Sequence, residues 1–219
     1  MSTPLQTQMT IYAINGVDYH IRSLLNRNQF FDPEGHAEAL GISSASWPFF
    51  GLVWPAGLML ADIMSREGLL GLDILELGCG LGFASLIVNA RGGAILATDY
   101  HPTANAFLDE NSRLNGLKVT PFLRCDWRVD HADIGRYDLI IGSDLLYEPD
   151  HPEQLAQFIS QHAKETAQII IVDPKRRLQG KFRQKMEALG YVVSSVQGNS
   201  NDFDAFGFRG VVFRFSKVH

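Results

Sequence analysis

The sequence predicts a protein of the α/β class, built on a seven-stranded, mostly parallel sheet flanked by helices. Three observations carry this. From Leu72 onward, apolar strand-like runs alternate with helical segments, the pattern of βα units. Two of the runs, "DLII" and "IIIV", are unbroken by polar residues, as strands buried on both faces should be. The first run, "LDILEL", passes directly into "GCGLGF", a glycine loop placed where the first strand of such a sheet meets its helix. Together they specify a Rossmann-like arrangement, with an N-terminal β-hairpin and helix as an extension and an antiparallel hairpin at the C-terminus.

The elements follow in chain order. In "MTIYAINGVDYHIRSLL", Asn15-Gly16 separates two β-prone runs and suits a tight hairpin, because both residue types tolerate positive φ. "DPEGHAEALG" offers Asp32 as N-cap, Pro33 at the first helical position and Gly41 as a stop, so a short helix is expected. An aromatic, proline-broken stretch, "SASWPFFGLVWPAG", then leads into a helix from about Pro55, with Leu58, Met59 and Met64 facing a core. Five strands separated by helices are expected at Asp73 to Leu77, Ala94 to Thr98, Val119 to Arg124, Tyr137 to Gly142 and Gln168 to Val172. Helices fall near Phe83 to Ala90, Pro102 to Asn115, Pro152 to Lys164 and Leu178 to Leu189. "YVVSSVQ" and "GVVFRFSKV" have no helix between them and pair as the closing hairpin.

Composition sets limits on function. With 219 residues, 46% hydrophobic and 20% charged, the chain has globular proportions, and one domain over residues 1–219 is expected: an accessory segment to residue 53 and a core from residue 54. The net charge of −5 argues against a protein that works by neutralising phosphates, so a nucleic-acid partner is not expected. Cys79 and Cys125 lack metal or disulfide spacing, which points to a reducing, cytoplasmic setting and no metal. No stretch reads as long enough to span a bilayer, so no membrane partner is expected.

Within the loop, the glycines are spaced G-x-G-x-G (Gly78, Gly80, Gly82), not the G-x-G-x-x-G of nicotinamide and flavin binders, and no phosphate-cradling lysine follows. That suits a nucleoside whose tail is an amino acid. Asp99, after "AILAT", stands where an acid accepts hydrogen bonds from ribose hydroxyls, and Glu76 ends the first strand as an anchor for a cationic or hydroxyl-bearing part of the ligand, or as a helix cap.

With these residues in order, the chain resembles the class I, seven-strand S-adenosylmethionine-dependent methyltransferases across residues 54 to 219. The matching stretches are "ILELGCGLG", "ATDY", "CDW" and "DLIIGSDLLY". The resemblance implies S-adenosylmethionine as cofactor, its ribose on Asp99 beside Tyr100 and its adenine bounded by Asp126 and Trp127. "SDLLYEP" is similar to the Asp-x-x-Tyr signature of the small protein-lysine methyltransferases, and "WPFFGLVWPAG" with the "DP" after the fifth strand to the branch of the electron-transfer-flavoprotein β-subunit lysine methyltransferase and its bacterial relatives. Carried over, Trp54 and Ser143 contact the cofactor, while Asp144 and Tyr147 face the amine.

The residue types fit the reaction. An in-line methyl transfer needs alignment and exclusion of water more than covalent help from the protein. Asp144 attracts a lysine ammonium and keeps it charged, which assigns it orientation and not general-base duty. Tyr147 offers a ring face to a cation, worth about 0.5–2 kcal/mol. A protein substrate is therefore expected, with a small-amine methyltransferase or a non-catalytic cofactor-binding module as alternatives. The basic run "PKRRLQGKFRQK" reads as the solvated face of a helix, with a docking surface for an acidic protein partner or for RNA as the alternative.

Overall fold

Asn15 and Gly16 carry φ of 48° and 78°, and this two-residue turn joins β1 (Thr7–Ile14) to β2 (Val17–Leu24) in an antiparallel ribbon closed by the Ile14–Val17 pair. The computed structural model describes residues 5–129, 131–197 and 206–217. The ribbon is a separate two-stranded sheet. Its β2 edge does not go unpaired, because Asn111 and Asn115 accept hydrogen bonds from the Arg22 and His20 amides at 2.7 and 2.9 Å.

The short helix α1 is smaller than expected, His36–Ala39, and Gly35 stands at its N-cap. Asp32 nevertheless caps it from three residues upstream. Its two carboxylate oxygens accept from the Ala37 and Glu38 amides at 3.0 and 2.9 Å. A 3-10 turn, Trp47–Gly51, precedes α2 (Pro55–Arg66), which starts on its proline. Here one expectation needs correcting: Trp47–Arg66 is 20 residues with mean hydropathy 1.3, enough by length and composition to cross a membrane. It is broken at residues 52–54, and Leu60, Ala61 and Met64 are fully buried against the rest of the protein.

The main sheet has seven strands: β3 (Asp73–Leu77), β4 (Ala94–Asp99), β5 (Phe122–Arg124), β6 (Tyr137–Ser143), β7 (Ala163–Asp173), β8 (Tyr191–Gln197) and β9 (Val211–Lys217). Their spatial order is β5-β4-β3-β6-β7-β9-β8, parallel from β5 to β7, with β9 antiparallel to both its neighbours. The crossover helices are α3 (Phe83–Ala90), α4 (Ala104–Leu114), α5 (His151–His162) and α6 (Gln179–Ala188).

Two further boundaries differ from expectation by more than two residues. β5 begins at Phe122, since Pro121 has no amide to donate and offers only its carbonyl, to Ala97. α5 stops at His162 and β7 starts at once, because Ala163 pairs with Tyr137 and the Lys164 ammonium ties Asp73 and Asp138 at 2.9 and 2.7 Å. Two apolar clusters fill the two faces. One gathers α2, α3, α4 and the ribbon; the other gathers α5, α6 and the β9 side of the sheet.

Candidate active site

Because β3, β4, β6 and β7 run parallel, Leu77, Asp99, Ser143 and Asp173 end on one edge of the sheet, where ligands of such folds bind. The glycine loop opens that edge. Gly78, Gly80 and Gly82 have φ of 59°, 55° and 72°, a region costly for any residue with a Cβ. A Cβ on each would also collide with the chain itself: at Gly78 with Leu145 at 2.5 Å, at Gly80 with the Phe50 carbonyl oxygen at 2.8 Å, at Gly82 with Leu108 at 2.3 Å. What comes so close to this backbone is therefore three other elements of the protein, which lock the loop's shape.

Asp99 secures the loop from the side. One carboxylate oxygen accepts from the Gly80 amide and the other from the His101 amide, both at 2.8 Å. Desolvation raises its pKa, against the pull of these amides. Each oxygen keeps a second acceptor site, so the carboxylate fits a pair of ribose hydroxyls. Tyr100, beside it, donates to the Leu40 carbonyl at 2.5 Å and receives the Arg128 guanidinium at 3.0 Å.

Glu76 sits differently from a ligand anchor. It is buried, and one oxygen accepts both the Ser85 amide, at 2.9 Å, and the Ser85 hydroxyl, capping the first turn of α3. Burial pushes its pKa up to about 7, with Asp99 adding to the rise. The Asp126 carboxylate grips the Arg128 guanidinium at 2.7 to 3.1 Å, which holds it below the usual carboxylate range. Trp127 comes within 3.9 Å of the position a Gly78 Cβ would take, so it borders the glycine loop.

At the β6 exit lies Ser143, whose hydroxyl faces Gly57 of α2. Asp144 follows with φ of 57°, an unusual conformation for a residue other than glycine and one that clusters at functional sites. Its amide donates to the Val172 carbonyl at 2.9 Å, and its carboxylate accepts from Arg176 Nε. Asp144 and Tyr147 line an open cavity of about 810 Å³ together with Trp54, which is fixed by a 2.9 Å bond from its indole N–H to the Phe49 carbonyl. Desolvation, then Asp99, Glu148 and Asp144, push the Tyr147 phenol up to about 12, so it stays protonated. A file of rings joins the two halves of the site: Phe49 meets Trp54 and Tyr147, Tyr147 meets His151 at 4.6 Å, and His151 meets Trp127 at 5.4 Å.

The structure thus brings Trp54, Asp144 and Tyr147 into one cavity, and sets Asp99 and Trp127 against the loop of Gly78, Gly80 and Gly82, which lies outside that cavity's lining. Sequence reasoning missed Arg176. The basic run splits: Lys175, Arg176 and Arg177 line the cavity, while Arg183 and Lys185 on α6 pair with Glu187 and Glu153. The signal available for Arg176 was position, three residues past the end of β7. His101, two residues past Asp99, stacks on Phe50 at 3.9 Å and is pushed down to about 4 by burial. Among the described residues, no group of three His, Cys, Asp or Glu is placed to hold a metal.

Residues 47–188 match the family described as "Lysine methyltransferase". The electron transfer flavoprotein beta subunit lysine methyltransferase of Mus musculus is 28% identical over 133 residues, covering 59% of this chain and 51% of its own. The EEF1A lysine methyltransferase 3 of Mus musculus is 33% identical over 109 residues, 46% of this chain and 45% of its own. The chain spans about half the length of the curated relatives it matches. Among solved structures, the T. thermophilus 16S rRNA N2 G1207 methyltransferase in complex with AdoMet and guanosine aligns over 99% of this chain and 52% of its own, with TM-score 0.65 at 17% identity, a likeness of fold.

Proposed function

As the chain belongs to the lysine methyltransferase family, we propose that it transfers a methyl group from S-adenosylmethionine to a lysine side chain of a protein. The single observation that carries this reading is the convergence of Asp144, Tyr147 and Trp54 on one open cavity, whose Tyr147 ring is linked through His151 to Trp127 at the glycine loop. When bound, S-adenosylmethionine supplies a sulfonium methyl open to nucleophilic attack.

The protein's own part is alignment. Gly78, Gly80 and Gly82 give a rigid, side-chain-free rim, and Asp99 offers the acceptor sites that suit ribose. Tyr100 and Trp127 supply aromatic surface near that edge, suited to adenine because stacking asks for no fixed hydrogen-bond pattern. The Asp126 carboxylate, held by Arg128, stiffens the segment that carries Trp127. Asp144 positions the substrate nitrogen by charge. Tyr147, a neutral phenol, offers it a ring face. A free lysine has a pKa of about 10.4, so the nitrogen must lose a proton before attack. Asp144 opposes that loss, and its role is therefore orientation.

A protein substrate is supported by the openness of the cavity and by its exposed aromatic lip, where Phe49 and Tyr147 are 39% and 44% exposed. The buried, free thiols of Cys79 and Cys125, both raised in pKa by desolvation first, support a reducing, cytoplasmic setting. Incubation with methyl-tritiated cofactor and a cell extract tests the reading. Label in a protein band, lost with Asp144→Ala, is the expected result; label confined to the small-molecule fraction contradicts it.

A further inference from the structure

Arg176 already makes both contacts assigned above to the substrate's ammonium. Its Nε donates to the Asp144 carboxylate, and its guanidinium carbon lies 5.9 Å from the Tyr147 ring centroid. We propose that Arg176 is a stand-in for the substrate cation, and that on displacement it binds a carboxylate next to the incoming lysine, so that the site selects lysines flanked by acidic residues. This inference rests on the lysine-transfer reading.

The backbone is built for such an exchange. The Arg176 amide is fixed on the Asp173 carboxylate at 2.7 Å, while its side chain is 38% exposed. The guanidinium can therefore swing toward solvent on a held pivot. Apart from Asp144, the charged lining it meets there is positive, with Glu148 an acid outside that lining, close enough to act on Tyr147. Lys175, Arg177 and Arg209 line the same cavity, are exposed, and form no ion pair with a described residue. Asp144 is the one acid among the described lining residues, and Asp173 is fully buried beneath. The intervening Asp202 and Asp204 lie outside the described residues. A lysine arriving alone takes Asp144 and leaves Arg176 among like charges. A lysine with a neighbouring glutamate or aspartate brings the counter-charge with it, so one ion pair becomes two.

Arg176 is on this account a positioning and specificity residue. The test uses two matched synthetic peptides, each with one lysine flanked on both sides by Glu or by Gln, and the chain saturated with S-adenosylhomocysteine. Fluorescence anisotropy reads binding, and methyl transfer is followed in parallel with S-adenosylmethionine. The Glu peptide should bind about two- to fivefold more tightly than the Gln peptide. In Arg176→Gln the Gln peptide should bind more tightly than to the natural chain and the Glu peptide less tightly; Arg176→Lys should restore the preference in part. A purely structural role would shift both peptides the same way. Equal affinities in the natural chain, or parallel losses in Arg176→Gln with an unchanged melting temperature, would overturn the proposal. Methylation of both peptides with one KM sinks this inference and leaves lysine transfer standing. An Arg176-dependent preference in binding with no methyl gained by either peptide supports the charge exchange and contradicts lysine transfer.

Discussion

Asp99 and Asp144 are two strand-end carboxylates with separate proposed duties, and substitution should split them. Asp99→Ala removes the acceptor that fits ribose and frees the Gly80 amide it holds. Calorimetry should show cofactor affinity falling by about tenfold or more, on the order of one charge-assisted hydrogen bond. Asp144→Ala should abolish transfer with cofactor affinity nearly unchanged; the reverse pattern contradicts the assignment. Glu76 gives a pH signature. Its carboxyl rises from 4.5 unfolded to about 7 folded, so the folded state holds the extra proton between those values, and stability falls as pH rises through that window. The loss is on the order of 3 kcal/mol. His101, pushed down to about 4, acts with the opposite sign over pH 4 to 6.5, so the difference between the natural chain and Glu76→Gln is the quantity to follow. Thermal melts from pH 4.5 to 7 should show a less negative slope for Glu76→Gln than for the natural chain, and identical slopes would remove Glu76 as the source. At this scale Asp144 and Tyr147 stood out through their likeness to the Asp-x-x-Tyr signature, and they line one cavity. The sequence hid Arg176, because a charge run looks alike whether it lines a cavity or faces solvent.

The glycine loop belongs to the scale of elements, since its three positions are held by three different parts of the chain. Gly80→Ala places a Cβ against the Phe50 carbonyl oxygen, backbone that cannot swing aside, at a φ of 55°. It should cost more than about 2 kcal/mol. Gly16→Ala, with similar φ but nothing within 4 Å, should cost about 1 kcal/mol. Chemical denaturation of the two variants checks the difference, and equal costs would mean that the Phe50 contact is not what holds the loop. Element types were legible throughout because the period of the apolar pattern switches between strand and helix. Boundaries were less so. The early start of β7 depends on Ala163 meeting Tyr137 across the sheet, and the short α1 on Asp32 reaching past Pro33 to amides further along. Neither pairing is visible in a local window.

For the whole molecule, the parallel run from β5 to β7 is what turns scattered motifs into a site. Residues from 78 to 147 in the sequence end on one edge only because the crossovers return each strand to the same side. The ribbon adds a second layer there: Asn111 binds the Arg22 amide and carbonyl and reaches the Leu81 carbonyl at 3.4 Å, tying ribbon, α4 and glycine loop together. The sequence showed the hairpin but not this attachment, which needs the tertiary meeting of residues far apart in the chain. A crystal structure of the chain with S-adenosylhomocysteine is the most direct test. The account predicts ribose hydroxyls on Asp99 and the sulfur turned toward Asp144 and Tyr147; a ligand seated away from the Gly80 loop, or a sulfur facing away from the β6 exit, would contradict it.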